Sequence, residues 1–168
     1  AIIFLVEGAV VDWGALLIID LELTPIKSAG VGYILFSIAM VIARLLGDKI
    51  IDIIGEFKVL ILGVITTIFG ILTILLSTLP LFALCGFMLI GLGVANLVPI
   101  FFSAAGRQKI MPAEIAIASV TTTGYAGILL GPVLIGYVAE VTTLSIAFSL
   151  LIPLVALTLI SSKKITIN

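Results

Sequence analysis

Long apolar runs recur along the whole chain and limit what it can fold into. Each is close to or above the ~20 residues with which an α-helix crosses a ~30 Å hydrocarbon core. The six runs cover Ala1–Ile19, Ala29–Gly47, Lys58–Ser77, Pro80–Ala105, Ala113–Ala139 and Thr143–Ile160. Strand alternation is absent, because Ile, Leu and Ala fill every face, so helices are favoured over an outer-membrane barrel. The sequence therefore predicts an all-α integral membrane protein with six transmembrane helices over residues 1–168.

Composition supports a membrane protein and argues against an enzyme. The chain is 62% hydrophobic and 10% charged, whereas soluble domains contain about 25% charged residues. Histidine is absent and Cys85 is the single cysteine, so no metal site or other cofactor is expected and His-dependent catalysis is excluded. No Ser–Lys or paired-Asp motif suggests an intramembrane hydrolase. A net charge of −1 gives no reason to expect a nucleic-acid partner.

The positions of the basic residues predict the orientation. Of the eight Lys and Arg residues, all except Lys27 lie near the second or fourth connection or in the C-terminal tail. They are Arg44, Lys49, Lys58, Arg107, Lys109, Lys163 and Lys164. Cytoplasmic loops carry an excess of Lys and Arg. The sequence therefore predicts that these connections and both ends of the chain are cytoplasmic.

Two acids stand inside the first apolar run. Glu7 is about 9 Å and Asp12 about 16 Å along a helix from Ala1, and the two point some 140° apart. A carboxylate in hydrocarbon is costly and marks a proton or substrate pathway by default. Asp12, near the midplane, is the better candidate; the alternatives are interhelical hydrogen bonding or, for Glu7, an interfacial position. Trp13 beside them could stack on a sugar ring or simply pack.

The most charged connection, Gly47–Phe57, is either a solvated loop or a charged latch that holds one conformation. Asp48 and Asp52 share a helical face, and Arg44 precedes Asp48 by four residues, so the spacing allows an i,i+4 ladder. Gly55 can end the turn with a positive φ. Arg107, in the fourth connection, is a second candidate for the latch or merely an orientation signal.

Glycine and proline mark the fifth run. Gly127, Gly131 and Gly136 are spaced so that another helix can approach closely, and Pro132 removes a backbone hydrogen bond and can kink the helix. The pattern predicts either a packing surface or a flexible gating helix, and the two are compatible.

Polar residues in the middle of the fourth and fifth runs are candidates to line a substrate path. Asn96 needs a hydrogen-bonding partner in hydrocarbon and often faces a cavity. Thr122 and Tyr125 could line the same path, although a Thr hydroxyl commonly bonds to its own helix backbone.

Several motifs resemble the major facilitator superfamily (MFS). In Gly47–Lys58, Asp52 and Gly55 match the acid and the second glycine of its loop motif. The stretches EGAVVDW (Glu7–Trp13), GVGYILFSIAMVIARLLGD (Gly30–Asp48), GLGVANLVPIFFSAAGR (Gly91–Arg107) and VTTTGYAGILLGPVLIGYVAE (Val120–Glu140) are similar to bacterial inner-membrane permeases related to the fucose permease. The resemblance covers nearly the whole chain as a C-terminal six-helix half.

The resemblance implies two three-helix inverted repeats and transport by alternating access. Asp12 and Asn96 would occupy corresponding positions in the two repeats, facing a central cavity. The chain would be a fragment whose partner is an N-terminal six-helix half, and the cargo would be a small polar solute such as a sugar, moved with protons. The alternative is a stand-alone six-helix membrane protein with a structural role or a self-associating pore.

Overall fold

The computed structural model describes residues 1–23, 25 and 28–165, so the predicted position of Lys27 lies outside the described residues. Regular structure in this part of the chain is helical. The helices are α1 (Ile2–Asp20), α2 (Val31–Ile54), α3 (Glu56–Leu75), α4 (Pro80–Val94), α5 (Leu97–Arg107), α6 (Ala113–Val141), α7 (Leu144–Ser149) and α8 (Leu151–Ile165). The all-helical prediction is confirmed.

Four helical stretches in the described residues are long and apolar enough to cross a membrane. They are Ile2–Asp20, Glu56–Leu75, Pro80–Arg107 and Ala113–Val141. Many large apolar side chains also face outward, among them Leu45 at 78% exposure and Leu129 at 72%. A surface of this kind suits lipid or a partner helix better than water. The chain is therefore a helical membrane protein, and six crossings in two inverted repeats stay a prediction.

The charged stretch predicted as a loop is mostly helix. Helix α2 continues through the predicted connection to Ile54, and α3 begins at Glu56. Gly55 alone separates the two helices, with φ 86° and ψ 150°. The prediction of a loop over Gly47–Phe57 is wrong, because charged residues can continue a helix beyond the apolar run. The expected positive φ of Gly55 is observed, and it ends α2.

Two predicted single helices are interrupted. The run Pro80–Ala105 divides into α4 and α5 at Ala95 and Asn96, and the last run divides into α7 and α8 at Leu150. A proline follows each interruption within a turn, at Pro99 and at Pro153. Proline has no N–H to donate to the carbonyl four residues earlier and its ring clashes there.

Glycines let the central helices approach closely. Helix α4 packs most extensively against α3 and α2, and α1 packs against α6. A Cβ added to Gly70 of α3 would lie 2.8 Å from the Gly86 carbonyl oxygen of α4. Phe87, fully buried, fills the space that Gly14 and Gly32 leave open, because a Cβ at either would lie 2.8 Å from its ring. These contacts fix α1, α2 and α3 around the interrupted helix.

Candidate functional site

An arginine from α2 satisfies a backbone carbonyl at the interruption between α4 and α5. Because Pro99 has no N–H, it cannot donate to the carbonyl of Ala95. The Arg44 Nε donates to this oxygen at 3.1 Å. A buried carbonyl without a donor would cost roughly 1–3 kcal/mol. Arg44 therefore compensates for the hydrogen bond that Pro99 removes.

The same guanidinium pairs with an acid from α1. Arg44 Nη2 lies 3.3 Å from Glu7 Oε1, and the side chains are 45% and 17% exposed, respectively. Glu7 and Arg44 are 37 residues apart in sequence. The pair links α1, α2 and the interruption in one polar network.

Asn96 ties the interruption to α2 from the other side. Its side chain is 9% exposed, and its Nδ2 donates to the Ala43 carbonyl at 3.0 Å. A Cβ at Gly47 would overlap Asn96 Oδ1, so the glycine makes room for the amide. We use the name polar network for three side chains and two backbone carbonyls. The side chains are those of Glu7, Arg44 and Asn96, and the carbonyls are those of Ala43 and Ala95.

Arg44 does not form the predicted ladder. Its side chain turns to Glu7 and Ala95 rather than to Asp48. Asp48 and Asp52 are exposed on the far end of α2, and within the described residues neither forms a salt bridge. Sequence spacing identifies only neighbours on the same helix. Here Glu7, on α1, forms the ion pair with Arg44 in place of Asp48. The i,i+4 contact between Arg44 and Asp48 is therefore absent from the described residues, and the latch role of Arg44, Asp48 and Asp52 stays a prediction.

A different ion pair forms at the end of the bundle where α3 begins. Arg107 Nη1 donates to Glu56 Oε1 at 2.8 Å, and Nη2 to Oε2 at 2.5 Å. Ser103 Oγ accepts a further hydrogen bond from Nη1 at 2.8 Å. This bidentate pair joins the first turn of α3 to the last turn of α5. Glu56 was not predicted as a site residue; its position directly after Gly55, at the start of a helix, was the available signal.

Asp12 and Trp13 lie on a different face of α1 from the polar network. Asp12 is exposed, and no hydrogen bond joins it to Asn96 within the described residues. The Trp13 Nε1 donates to the Pro132 carbonyl at 3.1 Å. A Cβ at Gly136 would lie 2.7 Å from Trp13 Cζ2. The indole therefore packs on α6.

The glycines of α6 form its contact with α1. A Cβ at Gly127 would overlap the Ala1 carbonyl, and one at Gly131 would lie 3.1 Å from Leu5 Cγ. Helix α6 continues through Pro132 without interruption. These positions therefore pack against α1 in this conformation.

Thr122 and Tyr125 are exposed on the outer face of α6. Thr122 lines a shallow groove with Glu114, Ala118 and Ser119. The neighbouring hydroxyls of Thr121 and Thr123 donate to carbonyls of their own helix, whereas no such bond forms at Thr122 in the described residues. The ring centroid of Tyr125 lies 6.4 Å from that of Phe4. These residues border the open side of α1 and α6 rather than the polar network.

The described residues contain no group of three or more His, Cys, Asp or Glu side chains that could hold a metal ion. The fold and the network define a helical membrane protein with an ion pair at an interrupted helix. Such interruptions within a membrane bundle are typical of substrate and ion sites in transporters.

Comparison with known proteins identifies relatives of this chain. An uncharacterized MFS-type transporter of Yersinia pestis is 42% identical over 165 residues, which is 98% of this chain and 43% of that protein. An uncharacterized transporter of Sinorhizobium fredii is 40% identical over 84% of this chain and 38% of its own length. The membrane protein MosC of Rhizobium meliloti is 35% identical over 87% of this chain and 36% of its own length.

The chain spans about two fifths of the length of these relatives. No protein-family model and no solved structure matches it. The relatives support membership of the major facilitator superfamily.

Proposed function

We propose that this chain is a six-helix half of a secondary transporter of the MFS, in the branch related to the fucose permease. It would move a small polar solute such as a sugar, together with a proton, across the bacterial inner membrane by alternating access. The relatives support transport, because two of them are named transporters. One matches 98% of this chain and the other 84%. Their greater length supports a second half as the partner.

The observation that carries the proposal is the polar network at the interrupted helix. A charged residue at the centre of a membrane helix costs about 2.5–3.5 kcal/mol on insertion scales, and such residues mark ion and substrate pathways. Here Arg44 of α2 donates to the Ala95 carbonyl and pairs with Glu7 of α1. A neutral side chain could also donate a hydrogen bond to the Ala95 carbonyl, so that bond alone does not require a charged residue. The charged pair therefore favours a working site over a purely structural one.

In this proposal, Glu7 and Arg44 of the polar network carry the proton coupling. Protonation of Glu7 would remove the charge that faces Arg44 and so weaken the ion pair, which would link proton uptake to a rearrangement of the pair. Asp12, Thr122 and Tyr125, which are exposed on α1 and α6, would contribute to the path between the two halves. The remaining wall would come from the partner half.

Transport tests the proposal directly. The intact protein is reconstituted in proteoliposomes with an alkaline interior and offered labelled neutral sugars, polyols and sugar acids. We expect at least one solute to accumulate and a protonophore to abolish the accumulation. Glu7→Gln should lose gradient-driven accumulation while retaining exchange of labelled for unlabelled solute.

Gly30→Ala is the matched control, because a Cβ there would meet no atom within 4 Å. It should transport like the wild type. Failure of every solute class to accumulate would overturn the proposal. An intact mass of 17.6 kDa in the native membrane would support the stand-alone alternative, whereas roughly twice that mass would support two covalently joined halves.

A further inference from the structure

We propose that Arg44 recognises a carboxylate and that the solute is a small monocarboxylate, such as a sugar acid, which enters with one proton carried by Glu7. This inference rests on the proposed transport function and names its substrate class. It follows from three features of the polar network: unused donors, a weak ion pair and the charge balance.

The Arg44 guanidinium has donors that the fold does not use. It carries five N–H groups, of which one on Nε bonds the Ala95 carbonyl and one on Nη2 bonds Glu7. Nη1 makes no hydrogen bond within the described residues, and the side chain is 45% exposed. The edge formed by Nη1 and Nη2 matches the two oxygens of a carboxylate. Capping Ala95 needs only one of the five donors.

The pairing with Glu7 is weak compared with another arginine pair in the same chain. Arg44 reaches Glu7 through one contact of 3.3 Å. Arg107 holds Glu56 through two contacts of 2.8 and 2.5 Å. Charge-assisted N–H···O bonds normally measure about 2.7–2.9 Å. An incoming carboxylate could therefore offer Arg44 a better geometry than Glu7 does.

Charge balance links that carboxylate to one proton. Ionised Glu7 and Arg44 sum to zero, so a bound monoanion would leave one uncompensated negative charge in a site surrounded by apolar helices. Protonation of Glu7 removes that charge, since the proton neutralises its carboxylate. Binding of the anion and the proton thus favour each other, and together they leave the site neutral.

The other helices packed against α1 supply no competing charge to the described part of this site. Helices α4 and α7 contain no Asp, Glu, Lys or Arg. On α5, Arg107 is engaged by Glu56. Helix α6 contributes Tyr125 next to Phe4, and its acids Glu114 and Glu140 are near its ends. The basic residues of α8, Lys163 and Lys164, follow residue 159, beyond the described side chains.

Matched ligand pairs test carboxylate recognition. The thermal unfolding of the intact protein in detergent is measured with D-glucuronate against D-glucose, and with D-gluconate against D-glucitol, between pH 5 and 8. We expect the two acids to stabilise the protein and their neutral counterparts not to. The affinity for the acids should fall by up to about tenfold per pH unit on the alkaline side, because one proton is taken up.

Two variants separate recognition from folding. Arg44→Lys keeps the positive charge but loses the paired N–H donors of the guanidinium, so we expect at least a tenfold weaker affinity for the acids. Glu7→Gln mimics the protonated acid and leaves Arg44 in place, so it should bind the acids with an affinity that no longer depends on pH. In proteoliposomes, a pH gradient should drive uptake of the acid, whereas a potassium diffusion potential should not, because one anion and one proton carry no net charge.

The outcomes distinguish this inference from the transport proposal. If neutral sugars accumulate with protons while neither acid binds, the transport proposal stands and carboxylate recognition is overturned. Unchanged acid affinity in Arg44→Lys together with persistent pH dependence in Glu7→Gln would also overturn it. If no solute of any class moves, the transport function itself fails.

Discussion

The dependence of Arg44 on Pro99 can be measured with a double-mutant cycle. Arg44→Met removes the donor to the Ala95 carbonyl and leaves Glu7 without its partner. Pro99→Ala provides a backbone N–H four residues after Ala95, which can bond the same carbonyl and close the helix. Arg44→Met should therefore be less destabilising when residue 99 is alanine.

The expected coupling energy follows from the hydrogen bond to the Ala95 carbonyl, which both substitutions affect. A hydrogen bond from a charged donor is worth about 1.5–3 kcal/mol, and partial exposure of Arg44 reduces this, so we expect a coupling of about 1–2 kcal/mol. The cost of leaving Glu7 unpaired occurs in both backgrounds and cancels in the cycle. The free energy of unfolding is obtained for the four proteins from SDS titrations in mixed micelles, followed by circular dichroism.

Pro132 provides the matched control, because it lies within α6, which continues through it, and touches Trp13 rather than Arg44. Arg44→Met and Pro132→Ala should be additive within about 0.3–0.5 kcal/mol. Additivity of Arg44→Met with Pro99→Ala to the same margin would refute the argument that Arg44 replaces the missing backbone donor.

Two further predictions concern close packing. Gly47→Ala should destabilise the protein by about 1–3 kcal/mol, because its Cβ would overlap Asn96 Oδ1, whereas Gly30→Ala meets open space; equal unfolding free energies of the two variants would contradict this. Trp13→Phe should cost about 0.5–1.5 kcal/mol of unfolding free energy, because it removes the hydrogen bond to the Pro132 carbonyl; the same titration measures this. An unchanged midpoint would show that this bond adds no stability.

The helical class could be predicted because it depends on composition and run length alone. The end of α2 could not, because charge was taken to mark a loop, although Asp48 and Asp52 continue the helix to Ile54. The interruption at Ala95 was also missed. Pro99 was visible in the sequence, but proline alone does not predict an interruption, because α6 continues through Pro132. The hydrogen bond from Arg44 to the Ala95 carbonyl is a contact between helices that the sequence does not display.

The candidate site could be predicted only in part. Residue spacing correctly assigned Glu7 and Asp12 to different sides of α1, but it favoured Asp12, whereas Glu7 is the acid that reaches a basic partner. Arg44 was assigned to Asp48 because i,i+4 neighbours are the contacts that a sequence displays. A partner 37 residues away requires knowledge of how the helices cross.

The single glycine between α2 and α3 has a mechanical consequence. Since one residue offers only two soft torsions, the two helices cannot tilt independently without rotating φ and ψ of Gly55. Gly55 is therefore a two-torsion hinge, with Arg44 on one of the helices that it joins and Glu56 at the start of the other. A change in the angle at Gly55 would move Arg44 and Glu56 relative to each other, so the Arg44–Glu7 and Arg107–Glu56 ion pairs lie on opposite sides of this hinge.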